Sequence, residues 1–210
     1  MLDVHVLILP GLPEEWIQQR RDALDVAVAS AGFPVFVHEV EGIPDHLGAS
    51  RKLGYSQGDQ PYVTHVDHDD YVLPNAFSVL HTHINNNAPV ITTGETVIRE
   101  NGSQNHLRES RHHLAVFRRD VLNAVPYERM RHFPDQLLLR KQDSLHIPEC
   151  VYIHRVAGTS ASRVSRAKDP QGVAEEQRII SSPELLAVEF MTPAQIKEST
   201  EEWLNAEHPG

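Results

Sequence analysis

Three carboxylates, Asp67, Asp69 and Asp70, close a run of strand-forming residues, Tyr62-Val63-Thr64-His65-Val66. Asp67 and Asp69 stand two apart in a chain that is turning, so their oxygens can converge on one hard divalent cation such as Mg²⁺ or Mn²⁺. A cation in that position suits a diphosphate. The run before the acids is apolar and β-branched and reads as a buried strand. In open α/β sheets ligands bind at the carboxyl ends of strands, which is where these acids fall. The plain alternative is an Asp-rich turn in which Asp70 caps the next helix.

The elements around the acids decide between these readings. Upstream, Gly48-Ala49-Ser50-Arg51-Lys52-Leu53-Gly54 falls within a short helix expected over His46 to Gln57. Its small residues permit close backbone approach, and Arg51 can reach a diphosphate, brace the acids or face solvent. Downstream, Pro74 opens a helix whose apolar face is Phe77, Leu80 and Ile84. Further back, Asp3 to Leu9 reads as the first strand, stopped by Pro10-Gly11. A helix led by Pro13, Glu14 and Glu15 follows, with Ile17, Leu24, Val28 and Ala31 at helical spacing. Pro34 to Val40 reads as the second strand of a right-handed β-α-β start. Beyond the acids, Pro89 to Arg99 reads as one or two strands around Gly94. Leu114 to Leu122 reads as a strand running into a helix, His132 to Lys141 as a helical segment, and Leu145 to His154 as a last strand.

Gly48, Arg51, Gly54, Asp67, Asp69, Asp70 and Pro74, in this order around a strand, resemble the pattern of GT-A glycosyltransferases, especially family 2. Lys52 stands where that family usually has Asn. The resemblance implies an α/β, GT-A-like three-layer sandwich with a mostly parallel central sheet. It implies a nucleotide-sugar donor whose diphosphate is held by Mn²⁺ or Mg²⁺ on Asp69 and Asp67, with Arg51 beside it. Asp135 matches the family's general base, which takes a proton from the acceptor hydroxyl in inverting members, although Pro134 replaces the Glu before it. Arg155 fits the family's Arg-x-His segment, but Ala157 occupies the metal-ligand position, which leaves His154 as the candidate ligand. The family's nucleotide-binding Asp-Asp-Gly-Ser turn is absent, and Glu39 or Glu41 at the end of the second strand takes its place as an acceptor for a base N–H or a ribose hydroxyl. One β-α unit before the Asp cluster is missing.

Composition narrows the rest. The chain has 210 residues and a net charge of −10, against a generally basic nucleic-acid-binding protein. Yet residues 99–168 carry 13 of the 19 Lys and Arg and 7 of the 29 acids. That asymmetry allows an anionic acceptor on one side. Cys150 is the lone cysteine, which excludes an internal disulfide framework and is expected to be a core thiol. No apolar run approaches a membrane span, so a soluble, cytoplasmic protein is expected. Residues 1–168 are expected to form the GT-A-like domain, with a mobile loop over Gly158 to Arg166. Residues 169–210 are expected to be an acidic helical extension packed on the domain or a partner, with a helix starting at Thr192-Pro193.

The leading expectation is a metal-dependent, inverting hexosyl- or pentosyltransferase that moves a sugar from a nucleotide-diphosphate donor to a hydroxyl. An enzyme of the phage type that glycosylates modified DNA bases is an alternative, since a basic second half leaves room for nucleic acid. A metallohydrolase is a further alternative, because His65-Val66-Asp67-His68-Asp69 superficially resembles dinuclear hydrolase motifs. An inactive GT-A-like binding domain is the last.

Overall fold

The computed structural model describes residues 1–9, 11–111, 113–140, 143–156 and 166–182. Of the expected loop over Gly158 to Arg166, all but Arg166 itself lies outside the described residues, as does the helix at Thr192. β1 (Leu2–Ile8), α1 (Glu14–Ala29) and β2 (Val35–Glu41) form the opening unit. α2 (Leu47–Tyr55), β3 (Tyr62–Val66), β4 (Tyr71–Val72) and α3 (Ser78–Asn85) follow. The second half contributes β5 (Val90–Arg99), β6 (Gln104–Leu107), β7 (Val116–Arg118), α4 (Pro134–Arg140), β8 (Ser144–Val156) and α5 (Pro170–Ser181).

Among the described residues, all eight strands join one sheet in the order β2-β1-β3-β7-β5-β8-β4, with β6 also on β5. The sheet is mixed rather than mostly parallel. β1 pairs in parallel with β2 and β3, and β5 with β8, while the other four pairings are antiparallel. Chain economy is the reason. Parallel neighbours need a crossover of a dozen or more residues, whereas antiparallel neighbours accept short links. The chain places α1 and α2 between its first three strands but joins β5 to β6 by a tight turn at Gly102.

Strand alternation sends side chains to two cores. Leu2, Val4 and Val6 pack with Leu24 and Ala27 of α1 and Leu80 and Ile84 of α3. Val63, Val90 and Phe117 pack with Tyr55 of α2, Leu137 and Leu138 of α4, and Ile179 and Ile180 of α5. Burial of such side chains, at about 1.5–3 kcal/mol each, is what holds the helices on the sheet.

Several expectations shift locally. The helix after the acids begins at Ser78, because Leu73 to Phe77 form turns in which Ala76 donates to the Leu73 carbonyl. The segment expected over Pro89 to Arg99 is one strand, Val90–Arg99, and the β7 strand runs into a 3₁₀ turn over Arg119–Ala124. The short β4 has no counterpart in the sequence reading. Cys150 is partly exposed on β8 rather than a core thiol. α5 docks on the body of the protein, where Glu176 accepts the backbone N–H groups of Arg131, His132 and Phe133. Among the described residues no helix is long and apolar enough to cross a membrane.

Candidate active site

β3 is buried at all five positions and lies between parallel β1 and antiparallel β7, which pairs with its first two residues. The chain then turns tightly, with Asp70 N–H donating to the Asp67 carbonyl, before β4 pairs with β8. This turn is gripped from both sides. Arg20 of α1, 1% exposed, donates to the His68 carbonyl at 2.9 Å, and Arg155 donates to the Asp69 carbonyl at 2.7 Å. The Arg155 guanidinium also lies over the rings of Trp16 and Tyr71. Tyr152 of β8 completes the grip, since its hydroxyl accepts from Asp67 N–H and donates to Asp70.

Asp70 therefore does not cap a helix. Its two oxygens accept from the Tyr152 hydroxyl at 2.9 Å and from Arg155 N–H at 2.8 Å. Burial, reinforced by Asp69, raises its carboxyl well above the usual range. Asp67 goes the other way: burial pushes its carboxyl up, but the Arg51 guanidinium together with His65 and His113 holds it well below that range. Burial raises Asp69, which lies 3.7 Å from His68 Nδ1.

Arg51 is 2% exposed, and α2 is seated deeply enough to carry it into the cluster. Gly48 permits this: a Cβ there would come 2.2 Å from the Met130 carbonyl oxygen. Arg51 donates to Asp67 at 2.6 Å and to both oxygens of Asp135 at 3.2 and 3.3 Å. Burial presses Asp135 upward, but Arg51 and His65 together leave its carboxyl lowered. His65 links to Tyr55 at 2.8 Å and lies 3.8 Å from Asp135.

A second group closes the other side. Gly94 marks a register shift between β5 and β8, and such a bulge re-aims the side chains that follow it. Glu95, 4% exposed, accepts from Ser110 at 2.6 Å and pairs closely with His113. Burial opposes both charges, yet the pair prevails: Glu95 falls to about 2 and His113 is raised to about 9. The His113 ring stacks on Tyr152 and lies against His154, with centroids 5.0 and 4.2 Å apart.

The structure thus brings Arg51, Asp67, Asp69, Asp135 and His154 to one end of the sheet. Glu39 sits apart from them and accepts hydrogen bonds from Arg20 and Arg21. The sequence reading missed Arg20, His113 and Tyr152. Alternation along β8 places Tyr152 and His154 on one face and was a usable signal. Nothing local marks His113.

No protein-family model matches the chain, and no curated protein matches it in sequence. Solved structures do match. S. aureus TarS 1-349 superposes with a TM-score of 0.60 at 15% identity, over 85% of this chain and 64% of that one. The same protein in complex with UDP-GlcNAc gives 0.57 at 14% identity, over 77% and 60%. In complex with UDP it gives 0.56 at 15% identity, over 98% and 78%. The fold is that of a GT-A-type glycosyltransferase. The chain covers less than two thirds of the first of these neighbours, and what the two share is a mixed α/β fold. On this GT-A frame, the acids, Arg51 and the Glu95–His113 pair form the most charged buried cluster described above.

Proposed function

We propose that this chain is a metal-dependent, inverting glycosyltransferase that moves a sugar, hexosyl or pentosyl, from a nucleotide-diphosphate donor to an acceptor hydroxyl. The observation that carries this reading is the buried Asp67–Asp70 turn, held by Arg20, Arg51, Tyr152 and Arg155 at the end of β3. TarS, which shares the fold, has been seen with UDP-GlcNAc and UDP, which supports a nucleotide-sugar donor.

A cluster rich in carboxylate and imidazole donors fits Mn²⁺ or Mg²⁺, and Asp69, Asp67 and His154 are the proposed ligands. Such an ion neutralises charge on the leaving diphosphate. Arg51 adds fixed positive charge behind the turn, where water is excluded and electrostatic stabilisation is strong. Glu39 keeps its side chain 39% exposed beside Arg20 and Arg21 and is the proposed acceptor for a ribose hydroxyl or base N–H. Asp135 is the proposed base. Its bonds to Arg51 are longer than the Arg51–Asp67 bond, so it is the partner more readily exchanged for an acceptor hydroxyl.

Arg111 and Arg140 line a cleft of about 600 Å³ together with Gln136 and Gln177. Its two guanidinium groups would suit an anionic acceptor, and a nucleic acid, including a modified DNA base, is the proposed alternative to a saccharide acceptor. The test is turnover of UDP-, GDP-, dTDP- and CMP-sugars with Mn²⁺, alone and with saccharide or DNA acceptors. Transfer to either acceptor is expected. Hydrolysis alone would indicate a hydrolase, and donor binding without turnover would indicate a binding domain. Acceptor affinity that falls log-linearly with salt identifies DNA, because phosphate contacts release counterions.

A further inference from the structure

Among the described residues, the metal-ligand groups that converge most closely are Asp70, His113 and His154, whose donor atoms lie within 4.8 Å of one another. Donors around one transition-metal ion stand roughly 3–4 Å apart, given bonds of about 2.0–2.2 Å. The three are brought together by tertiary structure alone. Asp70 comes from the turn after β3, His113 from the residues before β7, and His154 from β8.

Each of the three is also held from behind. His113 Nδ1 pairs with Glu95, which leaves Nε2 on the cluster side, 3.8 Å from Asp67 Oδ2. His154 Nδ1 lies 3.7 Å from the same Glu95 oxygen. Asp70 accepts from the Tyr152 hydroxyl and from Arg155 N–H, and each of its oxygens retains a lone pair. A carboxylate behind an imidazole and hydrogen bonds behind a carboxylate are the outer contacts that orient metal ligands. The backbone adds to this. Leu114, fully buried, holds φ at 48° next to His113, a left-handed conformation that bulky residues rarely adopt. Core packing of Leu114 fixes that geometry and with it the path of His113.

We propose that His113, oriented by Glu95, joins His154 and Asp70 as the ligands of a divalent transition metal, so that the site takes Mn²⁺ or Co²⁺ in preference to Mg²⁺. Imidazole donors suit the transition metals, whereas Mg²⁺ favours carboxylate, carbonyl and water oxygens. The inference rests on the metal-dependent reading only for what the ion does. It changes that reading in one respect, by exchanging Asp69 and Asp67 for Asp70 and His113 as direct ligands.

The test is metal binding to the purified full chain, without sugar, by calorimetry and Mn²⁺ EPR. Wild-type protein is expected to bind Mn²⁺ and Co²⁺ at least tenfold more tightly than Mg²⁺. His113→Ala should weaken Mn²⁺ by about 100-fold or more. Glu95→Gln, which removes only the support behind the imidazole, should cost about 10–100-fold. His83→Ala on α3 should change nothing. Nitrogen hyperfine couplings on wild-type Mn²⁺ should report two imidazoles, which tests the ligand set even if a variant does not fold. Equal affinity for Mg²⁺, a single imidazole coupling, or a folded His113→Ala protein with unchanged Mn²⁺ affinity would overturn the proposal. Sugar transfer is scored separately. Two imidazoles on Mn²⁺ without transfer leave this inference standing and remove the enzyme. Transfer that persists in chelator, with no metal bound, removes this inference and leaves the enzyme.

Discussion

Arg51 donates to Asp67 at 2.6 Å from a position that is 2% exposed, tying α2 to the turn after β3. The same guanidinium holds Asp135, so one buried cation serves two acids on different elements.

Arg51→Met should therefore destabilise the protein by about 3–5 kcal/mol at neutral pH, since removing one partner leaves buried charge uncompensated. The stranded carboxylates can take up protons, so the gap from wild type should narrow as pH falls toward 4. Urea denaturation at several pH values measures both effects. A gap that stays constant with pH would show that Arg51 contributes packing rather than charge.

Asp135→Asn should lower transfer turnover by roughly 100- to 10,000-fold, with nucleotide-sugar affinity nearly unchanged, because a general base acts on the acceptor in the transition state. If Asp135 only supports the start of α4, Asn serves almost as well and activity should follow the folded fraction. Near-normal turnover in a folded Asp135→Asn protein would move the search to Glu95, which the structure places beside His113.

Gly48→Ala should destabilise far more than Gly54→Ala. A Cβ at Gly48 would meet two backbone oxygens, of Met130 at 2.2 Å and Tyr127 at 2.4 Å, and neither can swing aside. At Gly54 it would meet the His5 Cβ at 3.3 Å, a contact that small shifts absorb. Overpacking of the first kind costs about 1–3 kcal/mol or more. Thermal melts of the two variants compare them directly.

His5 should make the fold acid-sensitive. It is 1% exposed, and neither ring nitrogen has a hydrogen-bond partner among the described residues. Burial, aided by His38, lowers it from 6.5 to about 3, with Asp3 opposing. The unfolded chain binds this proton below pH 6.5 and the folded chain does not until about pH 3. Stability should accordingly fall as pH drops through that window, by up to about 1.4 kcal/mol per pH unit for this group. His65, lowered to about 4 by burial and Arg51, adds to the same limb. His5→Leu should flatten the limb by one proton's slope, measured as the pH dependence of urea denaturation. An unchanged slope would show that His5 titrates normally in the folded state.

The sequence by itself determined the local parts. β-branched residues running into acids determined that a strand ends at Asp67, and glycines with an arginine between them determined a close-packed α2 bearing Arg51. Helical spacing and Pro13 determined α1. These patterns are short-range, so the residues that create them are also the ones that read them out. The missed bounds have the same physical origin, since the turns over Leu73 to Phe77 are fixed by the chain pairing with β8, and the Leu73 N–H donates to the Val151 carbonyl. Tertiary structure alone decided what surrounds the acids. Glu95, His113, Tyr152 and His154 meet because β5 pairs with β8 through a register shift at Gly94, and because Leu114 turns the chain before β7. Arg20 and Arg155 reach successive carbonyls of one turn from elements 48 and 86 positions away in sequence. No periodicity encodes such distances; they are decided by which apolar faces bury together, and the charged side chains are carried to the site by that packing.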